Sequence, residues 1–223
     1  MGGRRRKKKG RRGKGGKKKS GSLVIFFNNL RGFNSKKNSL LNVLKDIDPD
    51  LCLLNETGLR GKNKLALEGY STFTRNRAEK AMGGISTSIK DNLKHNAVNV
   101  GQGKDDDEYL VVRLDHFKPP ICVINCYGEQ EGRVATAEVE AKWERLLNEM
   151  NKIKARGEEC LLIGDLNKLV GNDHLGVKGN KDKVSHGGKL VRELIATEEY
   201  CLVNNLDITV GGPFTRVDPA DES

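Results

Sequence analysis

Short apolar runs broken by polar turns alternate with longer amphipathic stretches along most of the chain. Ser22–Phe27 reads as an apolar strand, followed by a polar loop over Asn28–Asn38. From Ser39 to Ile47, the residues Leu40, Leu41, Val43, Leu44 and Ile47 gather on one side of a helix. Asp48-Pro49-Asp50 ends it, because a residue before proline is driven out of the helical region. Leu51–Leu54 is a second apolar strand, and Tyr70–Thr74, Ile85–Ile89, Tyr109–Leu114 and Ile121–Cys126 are four more. Between Val134 and Ala155, the residues Val139, Trp143, Leu146, Leu147, Met150 and Ile153 recur at helical spacing. They predict a long amphipathic helix with Trp143 on its core face. Cys160–Ile163 reads as a strand, Lys189–Tyr200 as a helix and Cys201–Val203 as a short strand, and Phe214-Thr215 opens another. The alternation, with several hairpin-like pairs, predicts an α/β fold of two packed sheets with helices outside.

Charge divides the chain in two. Residues 1–19 hold twelve Lys or Arg, six Gly and no acid, which leaves 28 basic and 30 acidic residues for the rest. The whole basic excess is therefore in the leader. Such a segment has almost nothing to bury and is expected to be a disordered tail over residues 1–21, ahead of one domain over 22–223. It suits non-specific binding of phosphate backbones by counterion release, or a nuclear address, or an incidental leader. No apolar stretch follows the charges before Ser22, so a secretory signal is not expected, and no run is long enough to span a membrane. Cys52, Cys122, Cys126, Cys160 and Cys201 show no metal-ligand spacing and read as reduced, mostly buried thiols of an intracellular protein.

Candidate chemistry recurs just beyond the apolar strands. Asn29 follows Val24–Phe27, Glu56 follows Leu51–Leu54, and Asn125 and Tyr127 close Ile121–Cys126. Asp165 and Asn167 follow Leu161–Ile163 after the break at Gly164. In extended chain, residues two apart point to the same side, so Asp165 and Asn167 are expected to face one spot. Polar residues at one end of a rigid sheet scaffold are a common way of building an active site. A cluster of carboxylates and amides is costly to bury alone. A hard divalent cation and a phosphate ester would satisfy it.

The segments Asn29-Leu30-Arg31-Gly32, Asn55-Glu56-Thr57, Gly83-Gly84-Ile85, Asn125-Cys126-Tyr127 and Gly164-Asp165-Leu166-Asn167 come in a recognisable order. In that order the chain resembles the endonuclease/exonuclease/phosphatase superfamily, in the version found as the apurinic-type endonuclease domain of non-LTR, LINE-like retrotransposons. Gly211-Gly212-Pro213-Phe214-Thr215-Arg216 resembles the same family's Thr-containing strand. The resemblance implies a four-layered sandwich of two mixed sheets flanked by helices, and a magnesium-dependent (or manganese-dependent) DNA endonuclease. It implies that Glu56 is the main metal ligand with Asn29 beside it. It also implies that Asp165 orients or deprotonates the attacking water, Asn167 holds the scissile phosphate and Tyr127 donates to a phosphate oxygen. Thr215 and Arg31 would contact DNA.

The sequence departs from the family in three places. Leu166 stands where Phe is usual, and Gly128-Glu129-Gln130 stands where an Ala-Pro-Asn run is common. The closing Asp and Ser-Asp-His motifs have no counterpart up to Ser223, and neither His174 nor His186 lies in a matching context. A domain short of its last strands is therefore expected. The implied activity is nicking of target DNA to prime reverse transcription. An abasic-site repair nuclease, a phosphomonoesterase and a catalytically impaired nucleic-acid-binding remnant are the alternatives.

Overall fold

The computed structural model describes residues 22–61, 63–77, 83–99, 108–130, 132–171, 184–197 and 200. The strand β2 (Leu51–Asn55) is buried at all five positions. A strand covered on both faces needs apolar side chains in both directions, which explains its unbroken Leu-Cys-Leu-Leu run. It lies between β1 (Ile25–Asn29) and β4 (Ile85–Lys90), with β3 (Tyr70–Arg75) beyond β4. β1 is parallel to β2, and the β2–β4 and β4–β3 pairs are antiparallel. A second mixed sheet of four strands runs β5 (His95–Asn99), β6 (Tyr109–Leu114), β7 (Ile121–Tyr127) and β8 (Glu159–Asp165). Only its last pair, β7 and β8, is parallel.

The two-residue strand period sorts the side chains into layers. Leu51, Leu53, Ile89, Val112, Leu114 and Val123 meet between the sheets. The alternate residues Cys52 and Leu54 face outward onto the helix α1 (Phe33–Ile47), which contributes Phe33, Leu40 and Leu44. On the other side, Val111, Cys122 and Ile124 meet Trp143, Leu146, Met150 and Ile153 of α2 (Thr136–Ala155), and Val191 of α3 (His186–Ala196). The order helix, sheet, sheet, helices is the four-layered sandwich expected from the sequence, with Trp143 in its core.

Two helix starts and one added strand are the main differences from expectation. α1 starts at Phe33, so most of the loop expected over Asn28–Asn38 is helix. Phe33 is seven residues before Leu40 and falls on the same helix face, and the polar residues between them are the solvent side. β5 has no apolar run and is held by antiparallel pairing to β6. α3 begins three residues before Lys189, capped by Ser185, whose hydroxyl accepts the Gly188 N–H at 3.1 Å. The basic leader, Cys201–Val203 and the strand expected at Phe214-Thr215 lie outside the described residues. No helix among the described residues is long and apolar enough to cross a membrane.

Candidate active site

Parallel pairing brings four strand ends together. Asn29 pairs in register with Asn55, and Tyr127 with Asp165. Each strand of these two pairs therefore ends on the same level as its neighbour. Asn29, Asn55, Asn125, Tyr127 and Asp165 all have the parity of the residues packed between the sheets, so the polar group forms at the mouth of the inter-sheet core.

Two buried amides tie the sheets together there. Asn55 Nδ2 donates to the Cys126 carbonyl of the facing sheet at 2.8 Å. Asn125 Nδ2 donates back to the Ser86 carbonyl at 2.9 Å. The residues that follow Asn55 and Cys126 are Glu56 and Tyr127. The Tyr127 hydroxyl donates to Glu56 Oε1 at 2.8 Å. Glu56 lies in the left-handed region at φ 50. Its turn is pinned by Gly32 N–H on the Glu56 carbonyl at 2.8 Å and by Thr57 N–H on the Gly84 carbonyl at 3.0 Å. A non-glycine residue there stores backbone strain, which persists only where surrounding bonds enforce it.

Asn29 joins the carboxylates. Its Nδ2 donates to Glu56 Oε1 and to Asp165 Oδ2, each at 2.9 Å. Its Oδ1 accepts the Arg31 N–H at 3.3 Å. Glu56 is only 8% exposed, so its charge is largely removed from water and needs these donors. Burial, and then the Glu56 carboxylate, push the Tyr127 phenol well above its ordinary value, so it remains a donor. The donor set of two carboxylates and an amide is all oxygen once the amide presents Oδ1. It fits a hard divalent cation that keeps several of its waters. No group of three or more His, Cys, Asp or Glu suited to a metal occurs among the described residues.

Asp165 and Asn167 do meet, by a route other than the expected one. The strand stops at Asp165, and Asn167 adopts φ 51. A turn then lets the Asn167 N–H donate to Asp165 Oδ1 at 3.1 Å, while its side-chain amide donates to the Gly128 carbonyl at 2.8 Å. Two glycines permit this packing. A Cβ on Gly164 would lie 1.7 Å from the Cys126 carbonyl oxygen, and one on Gly128 would lie 2.0 Å from that of Leu166. The departure from the family at Gly128 is thus matched to a loop packed directly on Leu166.

Several charged residues beside the site have no local signature in the sequence and were not anticipated. Arg77 pairs with the buried Glu108, which also accepts the Gly84 N–H. The Arg77 guanidinium stands 5.9 Å from the centre of the Tyr127 ring, within cation–π range. Glu129 Oε1 receives Lys142 at 2.7 Å and Arg77 at 3.5 Å. Their sequence signal was no more than charge, at Arg77 after β3, Glu108 before β6, Glu129 after β7 and Lys142 within α2. Arg31 is exposed at φ 49, next to Asn29. His186 pairs with Glu140 of α2 at 2.8 Å. Thr215 and His174 lie outside the described residues. Cys52, Cys122, Cys126 and Cys160 carry thiols outside any disulfide, the first three buried.

Residues 29–176 match a model described as the endonuclease/exonuclease/phosphatase family. That span begins at Asn29 and includes Glu56, Tyr127, Asp165 and Asn167. No curated protein matches the sequence. Among solved structures, the chain is similar to the AP endonuclease LMAP from Leishmania major, with 15% identity and a TM-score of 0.59 over 79% of this chain and 66% of that one. It thus spans slightly under two thirds of that enzyme. The 3′ phosphatase NExo from Neisseria, bound to a product DNA hairpin, gives 16% identity and 0.59 over 78% and 71%. The endonuclease domain of TRAS1, a telomere-specific non-LTR retrotransposon, gives 12% and 0.56 over 78% and 71%. At these identities the shared property is the fold.

Proposed function

Because the chain belongs to the endonuclease/exonuclease/phosphatase family, we propose that it is the magnesium-dependent DNA endonuclease domain of a retrotransposon and nicks target DNA to prime reverse transcription. The observation that carries the catalytic part is the Asn29 amide, shared at 2.9 Å by the carboxylates of Glu56 and Asp165. The two acids come from different sheets and are joined through this one amide. The likeness to the TRAS1 domain and the motif order support the retrotransposon part.

Glu56 and Asn29 would hold the cation, with manganese as a substitute. When bound, it supplies positive charge against the charge that develops on the phosphoryl and leaving oxygens. The other roles belong to the chain. A water attacks the phosphorus and gives a proton to Asp165, the bond to the 3′ oxygen breaks, and that oxygen takes a proton from solvent. Asn167, held by the Gly128 carbonyl, turns its amide to the scissile phosphate. Tyr127, still protonated, donates its one O–H to Glu56 in the free protein and turns it to a phosphate oxygen when DNA is bound. Fixed donors of this kind stabilise charge that grows in the transition state. Arg31 and Thr215 contact the DNA backbone, and the basic leader adds non-specific binding and directs the protein to the nucleus.

The test is nicking of undamaged supercoiled plasmid by the full chain with magnesium, with a chelator control. Asp165→Ala and Asn167→Ala should each reduce the rate roughly 10³-fold or more, since groups that act together on one phosphate are non-additive. The AP endonuclease likeness favours one rival, an abasic-site nuclease. Cleavage confined to a duplex with an abasic site would select that rival. A folded chain inactive on both substrates would select a binding remnant.

A further inference from the structure

Glu129 is the meeting point of three cations from three separate elements. Arg77 comes from the end of β3, Lys142 from α2 and Lys168 from the segment after β8. Arg77 and Lys142 reach Glu129 Oε1 at 3.5 and 2.7 Å, and Lys168 Nζ donates to the Glu129 carbonyl at 3.1 Å. Lys142 also reaches Glu138 at 3.3 Å, and Arg77 pairs with Glu108. Burial works most strongly against the Lys142 ammonium, but the contacts to Glu129 and Glu138 together outweigh it and raise its pKa.

Fold stability is a weak reason for such a convergence. Part-buried ion pairs lose much of their Coulomb gain to desolvation and cost side-chain entropy. The Arg77, Glu129 and Lys142 side chains are each 16% exposed, so part of each stays open to solvent. Their position relative to the site is more informative. Glu129 is two residues after Tyr127, and Lys142, Lys168 and Glu129 line one concavity with Tyr127 and Gly128. Arg77 lies against the Tyr127 ring, whose hydroxyl is on Glu56. Arg77 and Glu129 thus flank Tyr127, and the charged group borders the candidate site.

We propose that Arg77 and Lys142, with Lys168 beside them, form a phosphate subsite for the DNA strand beside the scissile position, which the Glu129 carboxylate fills in the free protein and yields to a backbone phosphate. Carboxylate and phosphate are interchangeable partners for Arg and Lys, since both offer paired anionic oxygens. The exchange needs only a side-chain rotation. The Glu129 backbone is held by the Lys168 ammonium, and the preceding Gly128 by its N–H on the Asp165 carbonyl and by Asn167 on its own carbonyl, each at 2.8 Å. Asn167 is therefore undisturbed when Glu129 swings out. The inference rests on the nucleic-acid reading of the site. It makes Glu129 an internal competitor of the substrate.

The experiment measures binding of the full chain to a labelled, undamaged duplex in chelator, so that no cleavage intervenes, over a series of salt concentrations. Glu129→Gln should bind about tenfold tighter at low salt. Its log–log salt dependence should keep the parent's slope, because the parent makes the same phosphate contact once Glu129 has yielded. Lys142→Gln added to that variant should remove the gain. Inorganic phosphate at matched ionic strength should erase the gain if the subsite accepts a free anion, and leave it if the strand is required. Either outcome supports the subsite. Equal affinity of Glu129→Gln and the parent would overturn it. Should Glu129→Gln fail to fold by circular dichroism, Lys142→Gln in the parent must flatten the slope by about one, and an unchanged slope overturns the proposal. Absence of nicking would count against the catalytic reading and leave these binding results standing.

Discussion

The Tyr127 hydroxyl and the Glu56 carboxylate are joined at 2.8 Å across the boundary between the two sheets. Tyr127 closes a strand of one sheet, and Glu56 directly follows a strand of the other. The bond therefore orients a metal-ligand candidate using the opposite half of the sandwich.

Removing that bond alone should slow catalysis with little loss of fold. A hydrogen bond to a charged group is worth about 1.5–3 kcal/mol. Tyr127→Phe is expected to lower kcat by roughly 10- to 100-fold by the same range. Thermal unfolding of the variant should remain cooperative. Parent-like nicking by Tyr127→Phe would show that Glu56 is oriented without it.

Metal binding gives a readout independent of activity. Magnesium or manganese should raise the melting temperature, because a ligand of the folded state stabilises it by about 2.7 kcal/mol at a hundred times its Kd. Glu56→Gln should remove the shift. A variant with an undiminished magnesium response would exclude Glu56 from the cation site.

Asn55 and Asn125 make reciprocal ties between the sheets. Replacing Asn125 by Leu strips the donor from the buried Ser86 carbonyl, at a cost of about 1–3 kcal/mol. Urea unfolding should show an earlier midpoint with an unchanged slope. Asn55→Leu should behave alike and also weaken the magnesium shift, because Glu56 is the next residue. No change in midpoint for either variant would remove the ties from the account.

The buried thiols predict the alkaline limit of the fold. Burial pushes Cys52 up to about 12 from the ordinary 9.0, and burial followed by the Glu158 contacts pushes Cys122 up to about 12. A thiol is neutral when protonated, so these shifts keep protons on the folded state that the unfolded state releases. Their contribution is complete below pH 9 and is lost as pH rises from about 9 toward 12. Melting temperature should fall across that window. Cys52→Val should flatten the fall, and an unaltered profile would assign the alkaline limit to other groups.

Much of the scaffold was legible in local pattern. The Leu51–Leu54 run marked a doubly covered strand, and the repeat from Val139 to Ile153 marked α2, because burial on one or two faces imposes a period on the chain itself. The start of α1 was hidden, since Phe33 is separated from Leu40 by solvent-facing polar residues. β5 was hidden because strand pairing, not apolar content, holds it. The candidates Asn29, Glu56, Tyr127 and Asp165 could be named one by one as polar residues after apolar strands. Their assembly could not be read there. The Asn29–Asp165 bond spans 136 residues and exists only because two sheets stack with their parallel pairs ending on the same side. The Arg77–Glu108 and Glu129–Lys142 pairs were invisible for the same reason. Periodicity reports which face of an element is buried. It does not report which loop charges the packing of those elements will bring within a few ångströms of each other.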